Sequence, residues 1–320
     1  MHLFPKEFLE RYGTDFAPWR LEDSLAYTRW ISGAHYENFH VVSFLLPKRL
    51  HQDFFNIYAY CRWADDLGDE LGSPEYALEM LAWWRAELDR MYAGETRHPV
   101  FVALRGTVEK HGMPREPFEH LVRAFELDQR KTRYATYDEV LEYCVWSANP
   151  VGRLVLHLCG YTDEPRRRLS DATCTALQLA NHWQDLRRDY FDRDRIYLPE
   201  DRMHVHGYTY DDLAQDLRKG EARPVARALV RELIDRAEGL FAQGMPLIEQ
   251  VDRRLAIDLE LFSRGGMLVL NKIRAQEYDV IGRRPKVGKL ERIGLLLRVL
   301  AGSLVPGRRA APQPAQERSR

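Results

Sequence analysis

At 320 residues, 45% hydrophobic and 30% charged, the chain is long enough to bury a sizeable core. A formal net charge of −1 excludes a general attraction to nucleic acid or to acidic membranes. Four dispersed cysteines, Cys61, Cys144, Cys159 and Cys174, show no CxxC spacing, which argues against a disulfide framework and for reduced thiols in a cytoplasmic protein.

In chain order, the N-terminal segment 1–20 meets charge and proline too early for a secretory signal. Helical punctuation then recurs while strand alternation is nearly absent, and the pattern predicts helices near 22–35, 48–70, 74–93, 98–111, 115–130, 137–160, 166–191, 209–219, 222–243 and 250–279. Ser73-Pro74-Glu75 reads as a cap with a first-turn proline, Thr136-Tyr-Asp-Glu139 as a capping box and Thr209-Tyr-Asp-Asp212 as a weaker one. Asn149-Pro150 should bend or break the helix that contains it. The stretch 192–208 reads as the main irregular loop. The apolar run Ile293 to Val305 is short and carries Arg298, so it reads as a last helix rather than a membrane span, which needs roughly 18 apolar residues. Residues 306–320 have the composition of a disordered tail. The expected organisation is therefore all-α, with one helical domain over 21–291 and a short apolar helix at 292–305.

Two segments carry the chemistry. In the first, Tyr58, Arg62, Asp65 and Asp69 recur at i, i+4, i+7 and i+11, one continuous helical stripe. In the second, Asn181, Asp185 and Asp189 recur at i, i+4 and i+8. Residues four apart share a helix face with a rise of roughly 6 Å, so each segment presents paired carboxylates. Two such helices facing each other would form an acidic cage. Hard Mg²⁺ binds through a few carboxylates, waters and phosphate oxygens, so the cage would recognise a diphosphate through bridging metal. Arg62 adds fixed donors for phosphate or for holding a carboxylate. Charges at this spacing usually mark a solvated face, but Phe54, Phe55, Ile57, Tyr60 and Trp63 crowd the first pair and Leu177, Leu179, Ala180 and Trp183 the second. Carboxylates embedded in apolar helices are costly unless a site uses them.

These stripes, with Tyr143-Cys-Val-Trp146-Ser-Ala-Asn149-Pro150-Val-Gly152 and Arg195-Ile-Tyr197-Leu-Pro199, resemble the squalene/phytoene synthase family of head-to-head prenyl synthases, from about residue 25 to about 290. Within it, His35-Tyr-Glu-Asn38-Phe39, Asn149-Pro150 and Gln184-Asp185-Leu-Arg187-Arg188-Asp189 are similar to the bacterial hydroxysqualene synthases of squalene and hopanoid biosynthesis, which act on presqualene diphosphate. The resemblance implies a single-domain isoprenoid synthase fold with a central cavity. It implies Asp65, Asp69, Asn181, Asp185 and Asp189 as ligands of Mg²⁺, for which Mn²⁺ can substitute. It implies Tyr58, Arg62, Tyr143, Arg195 and Tyr197 as catalytic, and His35, Asn38, Phe39, Trp146, Asn149 and Gln178 as substrate-binding. Phe39, Phe44, Tyr58 and Trp146 are the candidates for cation-stabilising aromatics. His35 and His182 are expected to be structural or substrate-orienting, because Mg²⁺ disfavours imidazole.

Alternatives remain at this stage. Squalene or phytoene synthases condense two prenyl diphosphates; Asp65-Asp66-x-x-Asp69 also suits chain-elongating prenyltransferases, and Asn181/Asp185/Asp189 suits class I terpene cyclases; a helical scaffold without catalysis is the reading from another class. No glycine-rich phosphate fingerprint supports a nicotinamide site, and no NADPH is expected. Lys272, Arg274, Arg283, Arg284, Lys286 and Lys289 read as a solvated basic face. The expected partners are a prenyl diphosphate and no nucleic acid, with pathway enzymes as candidates and residues 293–305 as a candidate for peripheral contact with the inner membrane face.

Overall fold

The computed structural model describes residues 2–34 and 46–303, so the expectations for His35, Asn38, Phe39 and Phe44 lie outside the described residues. Among the described residues every regular element is helical, the class the punctuation predicted. In chain order these are α1 (Pro5–Tyr12), α2 (Leu21–Ala34), a 3-10 turn (Lys48–Leu50), α3 (His51–Asp69), α4 (Pro74–Tyr92), α5 (Pro99–His111) and α6 (Glu116–Asp128). They continue as α7 (Tyr137–Ser147), α8 (Asn149–Leu158), α9 (Glu164–Arg193), α10 (Glu200–Val205), α11 (Tyr210–Lys219) and α12 (Pro224–Gly244). A second 3-10 turn (Met245–Glu249), α13 (Arg253–Ala275) and α14 (Lys289–Ser303) complete the chain. None of these helices is long and apolar enough to cross a membrane.

The caps act as their sequences promised. Ser73 Oγ accepts from the Tyr76 amide, Thr136 from Glu139, and Thr209 and Asp212 close a reciprocal box. The expected break falls at Ala148, and Pro150 then sits in the first turn of α8, where a missing N–H costs nothing. The helix expected over 250–279 is shorter. It starts after the Asp252 cap and ends at Ala275, and Glu277 and Tyr278 then take positive φ of 54° and 62°. Two short helices escaped the reading: α1, and α10 inside the stretch read as a loop. Eight and six residues are too few for a period to declare itself.

The described residues group into two compact units. The first comprises 2–34, 46–130 and 150–162. Its core stacks Trp63 on Trp84, with centroids 5.0 Å apart, and sets His98 edge-on to Trp63 at 4.3 Å. His98 also caps α5, its Nδ1 accepting from the Val100 amide. Enclosure among rings holds its pKa well below the ordinary value, because burial disfavours the charged form. Asn56 ties three helices together, accepting from Thr28 and Gln52 while donating to the Ala103 carbonyl and Thr107. A buried amide with all its partners specifies one register for α2, α3 and α5.

The second unit comprises 131–149 and 163–303 and is built on the 30-residue α9, against which α7, α12 and α13 pack. Close approach depends on glycine. A Cβ on Gly244 would lie 2.9 Å from the Leu169 carbonyl oxygen, and one on Gly266 would lie 2.8 Å from Leu177 Cδ2. Asp258 on α13 is buried with neither carboxylate oxygen hydrogen-bonded, and burial pushes its pKa from 3.8 to about 8. Since the folded value lies above the unfolded one, stability is full below pH 3.8 and is lost as pH rises towards 8. Asp258→Asn should therefore raise the melting temperature most at alkaline pH and flatten its pH dependence. Parallel curves for the two proteins would contradict this.

Candidate active site

The first motif lies on α3. Its apolar neighbours, Ile57, Tyr60, Trp63 and Leu67, are buried in the first unit's core, which fixes the helix and sets the angle of the polar stripe. Arg62 is the centre of this motif. It donates to Asp65 at 2.9 Å and pairs with Asp66 through Nη2. The two carboxylates differ in exposure, 39% for the Asp65 side chain and 5% for Asp66. Burial raises the Asp66 pKa to about 7, and Asp65 and Glu70 add to this against the opposing pull of Arg62. Burial would weaken the Arg62 charge, but Asp65 and Asp66 more than restore it. Tyr58, one turn earlier, has its phenol pKa raised, first by burial. The sequence reading weighed Asp65 and Asp69 as ligands and gave Asp66 no partner; the structure makes Asp66 the buried anchor of Arg62.

The second motif lies in the C-terminal half of α9. Asn181 is exposed, and Asp185 and Asp189 are half-buried. Asp189 has a pKa of about 7, raised by burial and by Asp185 and lowered by Arg193, Arg188 and Arg195. Arg284 grips Asp185 with two donors, Nε on Oδ1 and Nη2 on Oδ2 at 3.1 Å. Gln184 donates to the Pro285 carbonyl at 2.7 Å, so the 284–285 segment is tied to α9 twice. Arg284 is thus not the purely solvated charge expected of the basic run.

Beyond α9 the chain turns at Asp194, whose φ of 49° is left-handed, and buries Arg195 and Tyr197. Tyr197 stacks on His182 with centroids 3.6 Å apart and lies 5.5 Å from both Tyr134 and Tyr143. Burial drives the His182 pKa down to about 3, so the imidazole is neutral at working pH. The structure therefore brings Tyr143 and Tyr197 together in the second unit, adds Tyr134 and His182 to them, and buries Arg195 beside Asp189. Asn149 is buried and its side-chain oxygen accepts from Thr175 at 2.9 Å, while Trp146 and Gln178 are half-buried on α7 and α9.

Among the described residues no group of three or more His, Cys, Asp or Glu side chains converges as a closed metal cage. The two motifs nevertheless fit Mg²⁺. Their donors are all oxygen, each offers paired carboxylates, and this ion takes few protein ligands and keeps waters. Asp189 in the second stripe has its pKa raised to about 7 by burial and by Asp185, a repulsion that a cation bound by the pair would relieve.

Comparison with known proteins adds independent evidence. The squalene/phytoene synthase family model matches residues 33–291. A phytoene synthase from Thermus thermophilus is 33% identical over 276 residues, 86% of this chain and 92% of the relative. A hydroxysqualene synthase from Rhodopseudomonas palustris is 36% identical over 227 residues, 70% of this chain and 75% of the relative. Among solved structures, the squalene synthase HpnC from Alicyclobacillus acidocaldarius superposes with a TM-score of 0.74 at 43% identity, covering 81% of this chain and 95% of its own.

Proposed function

The chain belongs to the squalene/phytoene synthase family, and from that premise we propose that it converts presqualene diphosphate to hydroxysqualene, with Mg²⁺ required and no NADPH consumed. Membership makes it an enzyme of prenyl diphosphate chemistry; the finer assignment rests on α9. A condensing enzyme must hold two diphosphates at once, whereas presqualene diphosphate brings one. In the α9 segment that is similar to the hydroxysqualene synthases, Gln184 and Arg187 are engaged internally. Gln184 holds the Pro285 carbonyl, and Arg187 donates to the Leu217 carbonyl at 2.8 Å while lying over the Phe191 ring. Arg188 sits 4.0 Å from Asp185 and 3.7 Å from Asp192. This absorption of α9 donors by the protein itself is the observation that carries the one-diphosphate reading.

Asp65 and Asp69 of the first motif, and likewise Asn181, Asp185 and Asp189 of the second, would hold Mg²⁺, which when bound neutralises the diphosphate as a leaving group. Arg62, held in place by Asp65 and Asp66, and Arg195 would stabilise the charge that gathers on the departing oxygen. When the C–O bond breaks, its electron pair leaves with the diphosphate and a carbocation remains. Tyr143 and Tyr197 are buried beside Tyr134 and the neutral His182, so these aromatics would stabilise a cation without supplying a base strong enough to deprotonate it. Water then adds through its oxygen, one proton is released, and the product is an alcohol. Incubating the purified enzyme and Mg²⁺ with farnesyl diphosphate or with presqualene diphosphate, with and without NADPH, tests the reading. Hydroxysqualene from presqualene diphosphate without NADPH is expected. Squalene formed only with NADPH, or phytoene from geranylgeranyl diphosphate at a higher kcat/KM, would place the chain elsewhere in the family.

A further inference from the structure

Helix α14 packs through Val299, with Leu295, Leu296 and Leu300 half-buried, but leaves a second apolar stripe in solvent. Val299 is buried, yet Leu290, Ile293 and Leu297 are 84%, 53% and 61% exposed. At about 100° per residue these three fall within about 60° of arc, and Val299 lies on the opposite face. Lys289 and Arg298 border the stripe on either side, and Arg283 and Lys286 are exposed in the segment that leads into the helix. The single acid of the segment 283–303 is Glu291, which is occupied by Lys272 at 2.5 Å and by the Gly288 amide. The outer face is thus apolar along its middle and basic along its edges.

We infer that α14 docks this enzyme onto an anionic lipid bilayer, with Leu290, Ile293 and Leu297 entering the headgroup boundary. Charge complementarity selects this occupant. A second copy of the same face would set basic edge against basic edge, which repels. Three side chains also fall far short of the roughly 800 Å² that each partner buries in a standard protein interface. A short apolar stripe supplemented by basic residues is instead the two-signal pattern that gives reversible membrane binding. The docking goes beyond the proposed reaction and does not depend on which product forms, although a thirty-carbon product that leaves into a bilayer gives it a use.

Co-sedimentation of the full chain with vesicles tests it. Binding is expected to mixed phosphatidylcholine and phosphatidylglycerol vesicles, to fall on the order of tenfold with pure phosphatidylcholine, and to weaken with salt. Leu290→Gln/Ile293→Gln/Leu297→Gln should lose binding while keeping its melting temperature and its turnover of detergent-dispersed substrate. Lys289→Gln/Arg298→Gln should lose only the preference for anionic vesicles. Absence of wild-type binding, or undiminished binding by the apolar variant, would overturn the inference. So would a wild-type dimer in sedimentation that the apolar variant converts to monomer. Because vesicle binding is read without substrate, its failure leaves the proposed reaction standing, and failure of that reaction leaves the docking standing.

Discussion

Replacing Asp185 by Asn is expected to lower turnover by two or more orders of magnitude, a barrier increase of about 3 kcal/mol or more, with the fold intact. The amide keeps the volume of the carboxyl but removes a ligand charge. The pair with Arg284 that it also weakens is partly exposed, and such pairs contribute at most about 1 kcal/mol to stability. Asp65→Asn should behave alike. Mg²⁺ with inorganic diphosphate should raise the melting temperature of the wild type by binding only its folded form, and this rise should be much reduced in both variants. Near wild-type turnover in either, measured beside the thermal shift, would contradict the metal assignment.

Removing Arg62 should strike both stability and activity. Arg62→Met leaves Asp66 buried without its counter-charge, and stranding a buried carboxylate costs roughly 2–4 kcal/mol after allowance for the partial exposure of Arg62. The Asp66 pKa already stands at about 7 with the guanidinium present and rises further without it. A folded pKa above the unfolded one means stability is lost as pH rises, so the variant should be weaker at about pH 8 than at about pH 5. Arg62→Met/Asp66→Asn should recover most of the stability while turnover stays low. Urea unfolding at the two pH values with turnover at saturating substrate checks this, and recovery of turnover in the double variant would assign Arg62 a purely structural role.

The sequence declared what is local. Helical spacing placed Arg62, Asp65 and Asp69 on one stripe of α3 and Asn181, Asp185 and Asp189 on one stripe of α9, and cap residues marked the starts of α4, α7 and α11. What it could not declare depends on tertiary approach. Asp66 is adjacent to Asp65, and nothing in its spacing says that one carboxylate is buried and the other half-exposed. The resemblance marked Tyr197 as catalytic and His182 was expected to be structural or substrate-orienting, but nothing in the sequence set them side by side, because their stack forms only when the chain reverses at Asp194. Arg284 stood out only as one of several basic residues, and its partner lies 99 positions earlier. The exposed stripe of α14 is the converse case. Its apolar run was visible, but which of its leucines face solvent was decided by how the helix packs on α13.

The most direct test of the proposed reaction follows the oxygen. Presqualene diphosphate incubated with the enzyme and Mg²⁺ in heavy-oxygen water, without NADPH, should give a thirty-carbon alcohol that carries one heavy-oxygen atom, because the cation is captured by solvent. An alcohol that retains the oxygen of the diphosphate ester, or a hydrocarbon formed in place of an alcohol, would contradict capture by water.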